Sequence, residues 1–160
     1  MPRPEDVVAR LAARGVTLAT AESLTGGAVC SALVSVPGAS AVVRGGVVAY
    51  TAEMKARLLG VDPDLIRSAG VVSPEVAEAM ARGAREATGA TLAVATTGVA
   101  GPEPHGDSPV GCVWVAVSGP AGERSSRHDI PGDRASVRAG AVDAALDAVL
   151  VAVDSDVTLL

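Results

Sequence analysis

Residues 16–38 read VTLATAESLTGGAVCSALVSVPG, and how this stretch is read decides the fold. VTLAT, 16–20, is an apolar run of strand length, and its length and β-branched content predict a buried strand. The chain then turns over 21–27, where Gly26 and Gly27 permit a tight backbone. Residues 28–36 continue as an apolar helix until Pro37 and Gly38 stop it. A strand running through a turn straight into a helix puts that turn at the carboxyl end of the strand, where open α/β sheets take their ligands.

On either side of this stretch the same alternation recurs. Residues 4–14, PEDVVARLAAR, repeat apolar positions at helical spacing and are closed by Gly15. Residues 39–50 are rich in Val and predict one or two strands, with Gly45 and Gly46 marking a bulge or close approach. Thr51 suits the N-cap of a helix running to Leu59, with Gly60 beyond it. A short helix over 63–69 follows, then a longer one capped by Ser73, opened by Pro74 and running to Thr88. Two continuous apolar runs, 90–98 and 111–119, flank a Gly- and Pro-dense loop, and 122–130 reads as an edge strand joined by the turn SGPAGE. Gly132 or Asp133 caps a last helix. The pattern predicts one domain over 1–160, a three-layer α/β/α sandwich on a mixed, mostly parallel sheet of about five strands.

Composition narrows the function. Of the 160 residues 49% are apolar but only 1% aromatic, so Val, Ala and Leu must build the core. A chain of this length buries roughly 68 to 70% of its unfolded surface. The net charge of −5, with no basic run and no aromatic platform, argues against nucleic acid or an anionic membrane as partner. Cys30 and Cys112 stand far apart without a CxxC pattern, so neither a disulfide framework nor a zinc site is expected. No signal-peptide or membrane-spanning run is evident, and the expected location is the cytoplasm.

Four segments can carry chemistry. In TAESLTGG, 20–27, Ser23 and Thr25 offer hydroxyls, and the glycines and new helix offer backbone N–H groups to an anion or oxyanion; the same residues also suit a plain helix cap. In VVAYTAEMKARLLG, 47–60, Tyr50 and Lys55 are the only Tyr and the only Lys of the chain, every other basic residue being Arg. Arg keeps its proton, whereas a desolvated Lys loses it readily and becomes a base. Near the start of its helix the macrodipole pushes Lys55 the same way. Ser23 with Lys55 would make a serine nucleophile with a lysine base, with Tyr50 donating from its phenol or covering the site.

The third segment, TTGVAGPEPHGDSPVG, suits a loop wrapped round a ligand, with Thr96, Thr97, Gly98 and Gly101 as candidates for substrate contact. Its alternating Glu103, His105 and Asp107 lack a fourth ligand nearby, and no metal is expected. In the fourth, GDRASVRAG, Arg134 and Arg138 share a helix face and can hold a phosphate or carboxylate, or pair with Asp129 or Asp133 in solvent.

Taken in order, AESLTGG at 21–27, VPGAS at 36–40, GGVVAYTAEMKARLLGV at 45–61, GVVSPEVAEAMA at 70–81, ATTGVAGP at 95–102, PVGCVWVAV at 109–117 and GDRASVR at 132–138 resemble the CinA C-terminal domain family, the PncC-type nicotinamide-nucleotide amidohydrolases. The resemblance covers nearly the whole chain. It implies a mixed α/β/α sandwich, no cofactor, and hydrolysis of the carboxamide of nicotinamide mononucleotide to nicotinate mononucleotide and ammonia. It also implies a stand-alone form that assembles as a homo-oligomer. In that setting Ser23 attacks, Lys55 moves the proton and Tyr50 orients or relays. N–H groups from Thr25 to Gly27 form the oxyanion hole, and Arg138, with Arg134 behind it, takes the phosphate. The chain departs from the family pattern at Leu24 and in the stretch PEPHGDS. The competing function is a non-catalytic nucleotide-binding or interaction domain, which would tolerate Arg at position 55.

Overall fold

The computed structural model describes residues 1–155. In chain order its elements are α1 (Pro4–Arg14), β1 (Leu18–Glu22), α2 (Ala28–Val34), a 3-10 turn (Ala39–Ala41), β2 (Val43–Val48), α3 (Ala52–Leu59), α4 (Pro63–Ala69), α5 (Pro74–Thr88), β3 (Leu92–Gly98), β4 (Cys112–Gly119), β5 (Gly122–Asp129) and α6 (Arg134–Ser155). The strands form one sheet in the order β2-β1-β3-β4-β5. β1 lies parallel to both neighbours, whereas β4 runs antiparallel to β3 and to β5. The sheet is therefore mixed, as the hairpin between the last two strands requires.

Helices cover both faces. One layer of the core gathers Val7 and Leu11 of α1, Val29 and Leu33 of α2, and Val137, Leu146 and Val149 of α6 against Leu18, Val94 and Val115 of the sheet. The other gathers Leu59, Val76 and Met80 of α3 and α5 against Ala19, Ala93, Ala95 and Ala116. Along each strand, alternate residues thus feed opposite layers. Large side chains fill the first layer and alanines the second, so α5 lies close on the sheet without aromatic filler.

The expected boundaries hold at most caps. Thr51, Asp62 and Ser73 each accept a backbone N–H at the start of their helix, and Gly15, Gly60 and Gly89 close helices in the left-handed region. Asp133 accepts the N–H of Ser136 at the start of α6. One strand is displaced from expectation at both ends. The first strand is not 16–20 but Leu18–Glu22, because Ala21 and Glu22 continue the ladder opposite Val47 and Val48 on one side and Ala95 and Thr96 on the other. A carboxylate can end a buried strand here because its charge is answered: Glu22 accepts N–H bonds from Val29 at 2.8 Å and Cys30 at 3.0 Å. Of the one or two strands expected over 39–50 there is one, preceded by the 3-10 turn.

The connection from β1 to β2 passes over one face through α2, and that from β2 to β3 over the other through α3, α4 and α5. The winding reverses between β1 and β3. In sheets of this order that reversal opens a crevice at the carboxyl ends of the two strands, which here are Glu22 and Gly98.

Candidate active site

A cleft of about 400 Å³ opens at that reversal, and its wall includes Ser23, Tyr50, Lys55, Thr97, Gly101 and Arg134. Ser23 is the first residue after β1; its N–H donates to the Thr96 carbonyl, which extends the sheet by one bond and fixes the start of the turn. Lys55 sits in the first half of α3, whose N-terminus is set by the hydroxyl of Thr51 accepting from Met54 N–H at 3.2 Å. From there the side chain runs inward and is only 1% exposed.

Its Nζ stands 2.9 Å from Ser23 Oγ and donates to the Ala49 carbonyl at 3.0 Å. Among the described residues no carboxylate pairs with it, and burial lowers its pKa from 10.5 to about 8. A neutral amine in this place keeps its bond to Ala49 and turns its lone pair on the serine proton. That is the arrangement of a hydroxyl activated by an adjacent base.

The other expected residues divide between cleft and scaffold. Tyr50 is 58% exposed on the cleft wall, and its hydroxyl accepts from Arg134 Nη2 at 3.0 Å, so it turns towards the cation and makes no hydrogen bond to Lys55. Arg134 also donates through Nη1 to the Gly101 carbonyl at 2.7 Å, which ties the start of α6 to the loop after β3. Gly98 and Gly101 line the cleft. Thr97 lines it too, though its hydroxyl donates to the Val71 carbonyl at 2.8 Å.

Thr25, expected near the substrate, points its hydroxyl inward to Thr96 at 2.8 Å and is fully buried. Arg138 lies behind the turn rather than in the cleft wall: its Nε donates to the Leu24 carbonyl at 2.9 Å and its Nη2 to the Thr25 carbonyl at 3.2 Å. Gly26 and Gly27 take φ of 60° and 100°, conformations that L side chains resist, and so let the turn close.

Two features were not expected from sequence, the bonds of Glu22 and the apolar wall ahead of α5. Glu22 occupies the N-terminus of α2, so the first N–H groups of that helix already hold a carboxylate and are closed to a ligand. Val71 and Val72, ahead of α5, add apolar wall. Glu103 and His105 reach the rim, the latter on a tight turn in which His105 and Ser108 exchange backbone hydrogen bonds. Among the described residues, no group of three or more His, Cys, Asp or Glu side chains is placed to hold a metal ion. Among the described residues, no helix is long and apolar enough to cross a membrane.

The sequence pattern of the CinA C-terminal domain matches residues 2–153. The chain belongs to the CinA C-terminal domain family. A CinA-like protein of Frankia casuarinae is 50% identical over 143 residues, covering 89% of this chain and 33% of the relative. A putative competence-damage inducible protein of Desulforamulus reducens is 46% identical over 132 residues, covering 82% and 32%. The chain thus spans about a third of the length of these curated relatives.

Among solved structures, a competence-damaged protein (CinA) superfamily member from Klebsiella pneumoniae superposes with a TM-score of 0.92 at 33% identity, over 95% of this chain and 96% of that one. A CinA superfamily protein from Escherichia coli gives 0.89 at 34% identity, over 92% and 86%. The CinA domain fold and the mixed sheet described above therefore agree.

Proposed function

We propose that this CinA C-terminal domain hydrolyses the carboxamide of nicotinamide mononucleotide to nicotinate mononucleotide and ammonia. The single observation that carries the reading is the 2.9 Å approach of a buried lysine amine to a serine hydroxyl at the mouth of a cleft. A module that only bound nucleotides would have no need to desolvate its one lysine beside a hydroxyl.

The chemistry runs in two halves. Neutral Lys55 takes the proton of Ser23 as Oγ adds to the amide carbon, and the carbonyl electron pair moves to oxygen. Backbone N–H groups of the 23–27 turn hold that oxyanion. As the intermediate collapses, the C–N bond breaks and Lys55 returns the proton to the departing nitrogen, releasing ammonia. Water activated by the same amine then cleaves the acyl–serine ester: one water proton passes through Lys55 to Ser23 Oγ, restoring the hydroxyl, and the carboxylic acid so formed gives its own proton to solvent, leaving the carboxylate. Each half begins and ends with Lys55 in the same protonation state, and no cofactor enters.

Leu24, Val71, Val72 and Val99 offer an apolar bed for the pyridine ring. Arg134, with guanidinium hydrogens left over from its two bonds, is the cleft cation suited to the phosphate. The substrate is then the small-molecule partner, and the remaining expectations for this domain are a cytoplasmic location and a homo-oligomeric state.

The test is ammonia release from nicotinamide mononucleotide by the purified protein without added metal. Release is expected from the native chain and is expected to vanish in Ser23→Ala and Lys55→Arg, both still folded by circular dichroism. A fully active Lys55→Arg removes the base. No release from the native chain with any pyridine nucleotide favours the binding module.

A further inference from the structure

The turn that carries Ser23 is held from outside, and how it is held bears on the oxyanion. Of the N–H groups after Ser23, that of Gly26 donates to the Ser23 carbonyl, that of Ala28 to the Thr25 carbonyl, and those of Val29 and Cys30 to Glu22. The N–H groups of Leu24, Thr25 and Gly27 make no hydrogen bond among the described residues. These three are the free donors of the turn.

Two of them are aimed. In a trans peptide the N–H points opposite the C=O of the same plane. The N–H of Leu24 belongs to the plane whose carbonyl, that of Ser23, is held by Gly26. The N–H of Thr25 belongs to the plane whose carbonyl, that of Leu24, is held by Arg138 Nε at 2.9 Å. Arg138 Nη2 holds the next carbonyl as well, at 3.2 Å. By contrast, the plane that carries the Gly27 N–H has no such restraint on its carbonyl.

Arg138 comes from α6, on the opposite face of the sheet from α3 and Lys55. A carbonyl drawn towards α6 sends the attached N–H away from it, to the side where Lys55 meets Ser23. The forked guanidinium grips two successive carbonyls, which a Lys could not do.

We propose that Arg138 is a positioning residue for the oxyanion formed beside Ser23: its hold on the Leu24 carbonyl aims the Thr25 N–H directly, and its hold on the Thr25 carbonyl fixes the plane of the Gly26 N–H, which in turn holds the Ser23 carbonyl and aims the Leu24 N–H. This rests on the amidohydrolase reading, and it differs from a phosphate-binding role for the same side chain in a measurable way. Oxyanion donors act in the transition state, so their misalignment lowers kcat and leaves KM nearly unchanged. A phosphate contact acts on the mononucleotide and is indifferent to the nucleoside that lacks the phosphate.

The experiment compares the native chain with Arg138→Lys and Arg138→Gln, each checked for folding by thermal melting, on nicotinamide mononucleotide and on the corresponding riboside. A second readout is the rate at which a small sulfonyl fluoride labels Ser23, followed by mass spectrometry, since its oxygens use the same donors and it carries no nucleotide. The expected result is a fall in kcat of about 10- to 100-fold, equal for both substrates, with KM within about twofold, slower labelling in parallel, and Lys milder than Gln.

A rise in KM confined to the mononucleotide, with labelling unchanged, overturns the proposal in favour of a phosphate contact. Native rates in both folded variants overturn it as well, with the hydrolase reading intact. If the native chain neither turns over nor is labelled at Ser23, the hydrolase reading falls and this inference with it.

Discussion

Lys55 Nζ and Ser23 Oγ meet at 2.9 Å although 32 residues separate them in the chain, the lysine arriving from α3 on one face of the sheet and the serine from the end of β1. The meeting is useful only when the amine is neutral. Burial holds the Lys55 pKa at about 8, below the usual 10.5, so the active form grows as pH rises through that value. The expected profile of kcat/KM climbs about tenfold per pH unit on the acid side and levels above about pH 8. Initial rates of ammonia release across that range check it, and a flat profile would remove the lysine as the titrating base.

The same burial has a thermodynamic side. Between about pH 8 and 10.5 the unfolded chain binds a proton at Lys55 that the folded chain does not, so stability from this group rises with pH over that window. Below it, the folded protein carries a buried ammonium whose partners among the described residues are the uncharged Ser23 hydroxyl and Ala49 carbonyl. Replacing Lys55 by Met, of similar length and apolar, is expected to raise stability at pH 7 by about 1–2 kcal/mol while abolishing turnover. The gain should shrink as melting is repeated towards pH 10. A variant that melts lower than the native chain at pH 7 would show that the bonds to Ser23 and Ala49 outweigh desolvation.

Glu22 gives a second stability test. Its buried carboxylate accepts from Val29 and Cys30 N–H and from Thr20 Oγ1 at 3.2 Å, so both of its oxygens are occupied by donors. In Glu22→Gln one oxygen becomes an NH₂ group facing a donor. The expected loss is about 1–3 kcal/mol in urea unfolding. An unchanged midpoint would mean that α2 does not depend on this cap.

These residues also show what the sequence could and could not reveal. Lys55 was legible because it is the only Lys among so many Arg, and Ser23 because a strand, a Gly-Gly turn and a helix surround it. The helices were legible through Thr51, Ser73 and Gly89, whose capping is local chemistry. Glu22 was not, since a carboxylate in a strand-turn motif reads as a solvent residue until the N–H groups that meet it are placed in space. Arg134 and Arg138 read as equivalent by spacing. Only the fold separates them, one reaching Tyr50 at the cleft and the other the carbonyls behind the turn. The hydroxyls of Thr25 and Thr97 read as free to meet substrate, and tertiary partners on β3 and before α5 take them instead.

A last prediction concerns a residue that touches neither the cleft nor its wall. Gly83 lies on α5 where α3 crosses it, and a Cβ there would stand 2.8 Å from the carbonyl carbon of Leu59. Backbone cannot rotate aside as a flexible side chain can, so Ala at this position must push α3 away from α5. α3 carries Lys55, whose amine has to stay within hydrogen-bond reach of Ser23. Gly83→Ala is therefore expected to cost about 1–3 kcal/mol of stability through overpacking. Turnover should fall by about 10- to 100-fold through displacement of the base, even at temperatures where the protein stays folded. The neighbouring exposed substitution Arg82→Ala, which removes only a surface ion pair with Glu123, serves as control and should leave turnover unchanged. Measuring melting temperature and kcat on both variants separates the two effects. A Gly83→Ala protein with native kcat would mean that α3 shifts without carrying Lys55 off Ser23.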